Sequence, residues 1–345
     1  MDTFPLGKLP PEELMRWFSR LDPKDPRVIL GPGIGLDCAV IDFGESLLVA
    51  KSDPITFTAM DIGWYAVQVN ANDIVTTGAR PKWFLVTLLL PEEGMNRTTI
   101  DTIFTQIQSA CSELDISIIG GHTEITMGLD RPILSGTMLG EVERDSLITP
   151  QGARPGDALL LTKGIPLEAA SILAREFADD LNRIEPEVLQ RARDYLTHPG
   201  ISVFKEALLA AKTGKVTAMH DPTEGGILSG LWELSDAASV GLEIQLPSIP
   251  ILPEAQWICR ALQVDPLSAI ASGSLLLTVE ASGLSEVKKV VQQNGIPIAQ
   301  IGWVIEQKGV FEGFQEERRE IPRPSRDALA DLFERKASSE YHAKQ

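Results

Sequence analysis

Basic residues are scarce: 31 Lys and Arg stand against 48 Asp and Glu over 345 residues, a formal charge of −17. A field of that sign repels nucleic acid and anionic membranes, so neither is an expected partner. Cysteine is scarcer still. Cys38, Cys111 and Cys259 lie far apart, with no CxxC pair and no metal-ligand spacing. That argues against a disulfide framework and points to a reducing cytoplasm. Long apolar runs are also missing. Leu88–Leu90, within FLVTLLL, is strand-sized, against the ~20 residues a membrane-spanning helix needs. The opening MDTFPLGKLPPEEL has prolines and no basic region, so no signal peptide is expected.

What remains is globular composition, 43% hydrophobic and 23% charged, in a chain long enough for two domains. The turn-rich TPQGARPGD divides residues 1–150 from 151–320, with a short helical tail over 321–345. In the first half, Pro11–Ser19 predicts a short helix. GPGIGLDCAVIDFG runs from a glycine-rich loop into a strand around Cys38–Phe43, and SLLVAKSD makes a second strand ending on Asp53. A helix from Asp61 stops at Gly78-Ala79-Arg80-Pro81. After the strand KWFLVTLLL, a stripe of Ile100, Ile103, Phe104, Ile107, Cys111 and Leu114 marks an amphipathic helix. A strand over Ile116–Ile119 ends in Gly120-Gly121-His122-Thr123-Glu124, and ILSGTMLGEV closes the half. The pattern β-β-α-β-α-β is α+β. Two helices cover one face of such a sheet, so its other face calls for a second sheet, for which another subunit is one source.

The second half reads as a strand ALLLTK, helices around 167–178, 186–196 and Val203–Lys212, and a strand VTAMH. A helix ILSGLWELSDAA, strands near 241–245 and 274–280, a helix LSEVKKVVQQNG and a strand near 298–305 follow. Ser325 is the expected cap of the tail helix.

Four segments of the first half set polar residues at element junctions: Gly31–Asp37, Ser52-Asp53, Asn70–Asp73 and Gly120–Glu124. Each taken singly is ordinary turn or surface chemistry. GPGIG lacks both the GxGxxG register and the GK[ST] of a phosphate loop. Together they offer Asp37, Asp53, Asp73 and Glu124 as hard oxygen ligands, with Asn72 and His122 nearby. Mg²⁺ takes carboxylates at this density and shares them with phosphate oxygens, which would let an acidic protein bind an anionic nucleotide. In the second half, His220-Asp221-Pro222-Thr223-Glu224-Gly225-Gly226 lies between a strand and a helix, where free N–H groups suit an anion. A capped helix start explains it equally well. Lys163, after ALLLT, is either a phosphate lysine or part of a surface turn.

In this order, GIGLDCAVI, SDPITF, NANDIVTTGARP, GGHTE, HDPTEGG and ASGSLLL resemble the blocks of one superfamily. It includes aminoimidazole ribonucleotide (AIR) synthetase, PurM; thiamine-monophosphate kinase; selenophosphate synthetase; and the hydrogenase maturation factor HypE. The match spans roughly residues 30–305. It implies an AIR-synthase-like fold in which N-terminal domains pair into a β-barrel across a homodimer, with ATP and Mg²⁺ along that interface. It further implies that Asp37, Asp53 and Asp73 hold metal and phosphate. Gly33, Gly35, Asn72, Gly120, Gly121, Thr123, Gly225 and Gly226 would lie near the nucleotide, joined by Lys163 where that residue is the phosphate lysine, with His122 and Glu124 as catalytic candidates. Phosphoryl transfer to an oxygen of a small acceptor is the implied chemistry. A nucleotide sensor, a metalloenzyme-maturation partner and a thiamine-monophosphate kinase-like enzyme are the alternatives. Leu36 departs from the family's acidic pair. The central blocks look most HypE-like, although the sequence ends SSEYHAKQ with no cysteine after Cys259.

Overall fold

The computed structural model describes residues 4, 6–21, 24–56, 58–313 and 317–343. They form two compact units. One gathers Leu36–Leu147 with the strand that precedes it; the other gathers Ile148 onward with Gly33–Gly35 and the first helix.

The N-terminal unit is a six-stranded sheet built from β1 (Val28–Leu30), β2 (Ala39–Asp42), β3 (Leu47–Ile55), β4 (Arg80–Pro91), β5 (Ser117–Thr126) and β6 (Ile133–Val142), in the order β1-β2-β3-β6-β4-β5. All neighbours are antiparallel except β4 and β5. That parallel pair requires a crossover, which the helix α3 (Arg97–Glu113) supplies. Asn96 caps α3, its side chain accepting from Thr99 N–H. The helix α2 (Ile62–Thr76) is buried on nearly every side, because it lies between the sheet and α3. Alternate residues of β6 face it: a Cβ on Gly136 would sit 2.5 Å from Asn70 Nδ2. The edge strand β5 is exposed along almost all of its length.

The C-terminal unit holds a seven-stranded sheet. Its strands are β7 (Ala158–Thr162), β8 (Val216–His220), β9 (Gly241–Ile244), β10 (Leu276–Val279), β11 (Ile298–Ile305), β12 (Gly309–Glu312) and β13 (Arg319–Glu320). Their order is β13-β12-β9-β11-β7-β10-β8. β7, β9 and β10 are buried at every residue, as expected of strands covered on both faces. The helices are α4 (Leu167–Glu176), α5 (Pro186–Asp194), α6 (Phe204–Ala211), α7 (Gly226–Ala238), α8 (Pro253–Leu262) and α9 (Leu284–Gln293), with α1 (Pro11–Phe18) and α10 (Ala328–Ala343) in the same unit. Ile227, Leu231 and Leu234 of α7 join Leu159, Leu161, Leu242 and Leu276 in one apolar core.

The mixed α+β class holds, but the first helix and Gly33–Gly35 join the second unit rather than the expected 1–150 domain, and two local features also differ from the sequence expectation. The cap of α10 is Asp327, whose Oδ1 accepts the Leu329 N–H at 2.7 Å; Ser325 lies two residues too early. Gly120–Glu124 does not end a strand but lies inside β5. No helix among the described residues is long and apolar enough to cross a membrane.

Candidate metal and nucleotide site

Three carboxylates expected to act together do converge, and they converge on a lysine. Lys51 and Asp53 stand two apart on β3, so both side chains leave the same face, the one that α2 covers. Asp73 projects from α2 onto that face, and Asp37 lies in the turn before β2. Lys51 Nζ is 3.1 Å from Asp73 Oδ2, 3.2 Å from Asp53 Oδ2 and 4.0 Å from Asp37 Oδ1. Asp73 is buried, while Asp53 keeps a third of its side chain exposed. Burial alone would lower the Lys51 pKa, but the charges of Asp73, Asp37 and Asp53 outweigh it and hold the ammonium well above its ordinary value.

The backbone of this corner is pinned. Asn70 Oδ1 accepts the Asp53 N–H at 2.9 Å, and its Nδ2 donates to the Asp53 carbonyl at 3.3 Å. The thiol of Cys38 donates to the Asp73 carbonyl, 3.3 Å away. Asn72 is fully buried, turned about 100° around α2 from Asp73. Hard oxygen donors around one cation suit Mg²⁺, and here the cation is an ammonium.

His122 and Glu124 belong to another place. Asp53 pairs with Gly136, Gly136 with Val86, and Val86 with Gly121, so this row shares the helix-covered face. His122 and Glu124 are offset from it by an odd number of residues and face the opposite, open side. His122 is also three strands from Asp53, about 14 Å across the sheet. Within one chain the expected site is therefore split. Its second part is an exposed pair, His122 Nε2 lying 3.0 Å from Glu124 Oε2, beside an exposed Thr123. Gly120 and Gly121 have φ of +152° and +150°. A Cβ on Gly121 would fall 2.0 Å from the Val86 carbonyl. Strand pairing beside the irregularity at Phe84/Leu85 thus accounts for Gly121, while Gly120 is set apart by its positive φ alone.

Other candidates find their partners inside the protein. Gly33 and Gly35 group with the C-terminal unit; a Cβ on Gly35 would meet the Glu233 carbonyl of α7 at 2.4 Å. Lys163 is not free for a phosphate in this arrangement. Its Nζ lies 2.8 Å from Glu206 and donates to the carbonyls of Gly200 at 3.1 Å and Ser202 at 2.5 Å. The Gly225-Gly226 turn already holds an anion of its own: the Gly225 N–H donates to Asp327 Oδ2 at 2.6 Å. The buried His220 pairs with Glu233 at 3.0 Å, and Glu233 with Lys8 at 3.1 Å.

Burial raises Asp327 to about 6. Glu168, fully enclosed, is pushed up to about 8, first by burial and then by Glu224 and Asp327, against the opposing hydrogen bond from Ser272. A carboxyl whose folded pKa lies above its unfolded 4.5 holds its proton more tightly when folded. Its contribution to stability is complete below about pH 4.5 and is lost as pH rises towards about 8. Glu168→Gln keeps the uncharged shape. It should match the parent near pH 4.5 and exceed it above pH 8, each unit between being worth up to about 1.4 kcal/mol. Thermal melts at the two pH values check this, and an equal difference at both would contradict it.

Comparison with known proteins follows the same two parts. The N-terminal domain of AIR synthase related proteins matches residues 35–142, and the C-terminal domain matches 154–313. A putative hydrogenase expression/formation protein of Methanocaldococcus jannaschii is 29% identical over 312 residues, 86% of this chain and 89% of its own. The carbamoyl dehydratase HypE of Cupriavidus necator is 29% identical over 257 residues, covering 73% and 70%. Among solved structures, a HypE–HypF complex superposes with a TM-score of 0.73 at 19% identity, covering 90% of this chain and 98% of the other. A thiamine-monophosphate kinase, AaThiL complexed with AMPPCP and TMP, gives 0.67 at 22%, covering 83% and 90%. At these identities the superpositions speak for the fold.

Proposed function

The chain belongs to the AIR synthase related family, and from that premise we propose that it binds ATP with Mg²⁺ and transfers a phosphoryl group to an oxygen of a small acceptor. The observation that carries this reading is the convergence of Asp37, Asp53 and Asp73 around a single cation position on the α2 side of the sheet. Those three would hold Mg²⁺, which neutralises phosphate charge and leaves positioning to the protein, as phosphoryl transfer requires. A HypE solved in complex with ATP and the AMPPCP-bound kinase support nucleotide binding on this fold. The chemistry is assigned to the N-terminal domain within residues 1–150, with 151–320 as the second domain and 321–345 as its tail; the first helix and Gly33–Gly35 group with that second domain.

The reading includes a homodimer. The exposed edge strand β5 carries Ile118, Ile119 and Ile125, and such an edge is a template for a second chain. Joining two open faces into a barrel would give His122 and Glu124 an enclosed setting for catalysis that one chain lacks. The HypE–HypF complex supports a maturation protein as a further partner. Three buried cysteines, none in a disulfide, suit a reducing cytoplasm.

The test is ADP formation over a panel of alcohols, phosphate monoesters, carboxylates and carbamoyl compounds. One class should raise the rate at least about ten-fold, and only with Mg²⁺. Leu36, in place of the family's second acid, favours a second reading, a nucleotide sensor. Tight ATP binding without turnover on any class would select it.

A further inference from the structure

Lys51 is the one residue of the cluster that no motif accounts for, and it occupies the centre. We infer that Lys51 is a built-in counter-ion that holds the Asp37–Asp53–Asp73 triad assembled without metal, yields that place when a divalent cation enters, and then turns its ammonium to the anionic ligand the cation brings. This rests on the metal–nucleotide reading above and adds a positioning residue to it.

Three carboxylates with no cation between them repel one another, and Asp73 is almost fully buried at 2% side-chain exposure. A buried carboxylate has to be paired. Lys51, itself 12% exposed, supplies the pairing, reaching Asp73 and Asp53 at 3.1 and 3.2 Å and Asp37 at 4.0 Å. A lysine is suited to leave again, since its compact charge rides on a flexible four-carbon stem. The rest of the corner stays in place, because Asn70 holds the Asp53 backbone from both sides. The displaced ammonium stays tethered two residues from Asp53, within reach of any phosphate bound beside it. Metal and nucleotide would then bind cooperatively: each favours the state in which Lys51 has left the triad.

A lysine that only props up the site predicts the opposite sign from one that competes for it. Mn²⁺ binding, measured by electron paramagnetic resonance without nucleotide, should be weak in the parent and at least about ten-fold tighter in Lys51→Met, since a competing positive charge is gone. The factor by which Mn²⁺ tightens ATP should shrink in the same variant. Lys51→Arg keeps the charge and should leave Mn²⁺ binding weak. If Lys51→Met folds poorly alone, excess Mn²⁺ should restore it by replacing the ammonium. Unchanged or weaker Mn²⁺ binding in Lys51→Met, or failure of Mn²⁺ to restore its fold, overturns the role of Lys51 while leaving the metal–nucleotide reading intact. A parent protein that binds neither Mn²⁺ nor ATP overturns both.

Discussion

Asp53→Asn is expected to lower Mg²⁺-dependent ATP affinity by about 100-fold or more while leaving the fold in place. The two halves of that result have separate causes. The Asp53 backbone is fixed by Asn70 through its N–H and its carbonyl, contacts that an asparagine at 53 retains. Its side chain is one-third exposed, so neutralising it strands little buried charge. A carboxylate shared between Mg²⁺ and phosphate is another matter. Losing one hard anionic ligand of three should cost about 2.7 kcal/mol or more, which is two decades of affinity. Asp73→Asn would be a poorer probe, because Asp73 is buried against Lys51 and its loss would weaken folding too. Calorimetric titration of ATP with Mg²⁺ reads the affinity, and circular dichroism reads the fold. Affinity within about three-fold of the parent would remove Asp53 from the site.

Lys163→Met should destabilise the C-terminal unit by about 3–5 kcal/mol, because it breaks a buried ion pair from one side. Both partners are almost wholly buried, at 5% and 2% side-chain exposure. Glu206 would be left buried without its cation, and the carbonyls of Gly200 and Ser202 would each lose a donor. Pairing Lys163→Met with Glu206→Leu should recover much of the loss, since an apolar pair of similar size removes the stranded charge along with the bridge. Urea unfolding of the full chain measures both. If Lys163 served a phosphate, the single variant would instead unfold like the parent and lose ATP affinity.

Much of the framework was legible because hydrophobic period and burial agree. Ile103, Ile107 and Cys111 of α3 are buried, as their stripe requires, although Phe104 of the same stripe is exposed, and β11 spans Ile298–Ile305 where the apolar run placed it. Short or atypical elements were not legible. β1 has three residues and β13 two, too few for a period to show, and α8 begins at Pro253 in a segment with no strong cap. Gly120-Gly121 looked like a strand end because paired glycines usually mark turns. Here Gly121 lets β5 run close against Val86, a requirement set by a strand distant in sequence.

The candidate site divided along the same line. Asp37, Asp53 and Asp73 could be named from motif order, but not the lysine between them. The missing signal was present in LLVAKSD: Leu47, Val49, Lys51 and Asp53 alternate on one face, and Leu47 and Val49 are in the core. A lysine in register with core residues announces a buried partner. Nothing local could have found the partners of Lys163, since Gly200, Ser202 and Glu206 lie about 40 residues further on.

Titration of ATP into the full chain, once with Mg²⁺ and once with EDTA, bears most directly on the whole account. Saturable binding with Mg²⁺ and none with EDTA is the predicted result, because an acidic corner repels a bare polyphosphate and accepts one bridged by a cation. Equal affinity in the two titrations would contradict it.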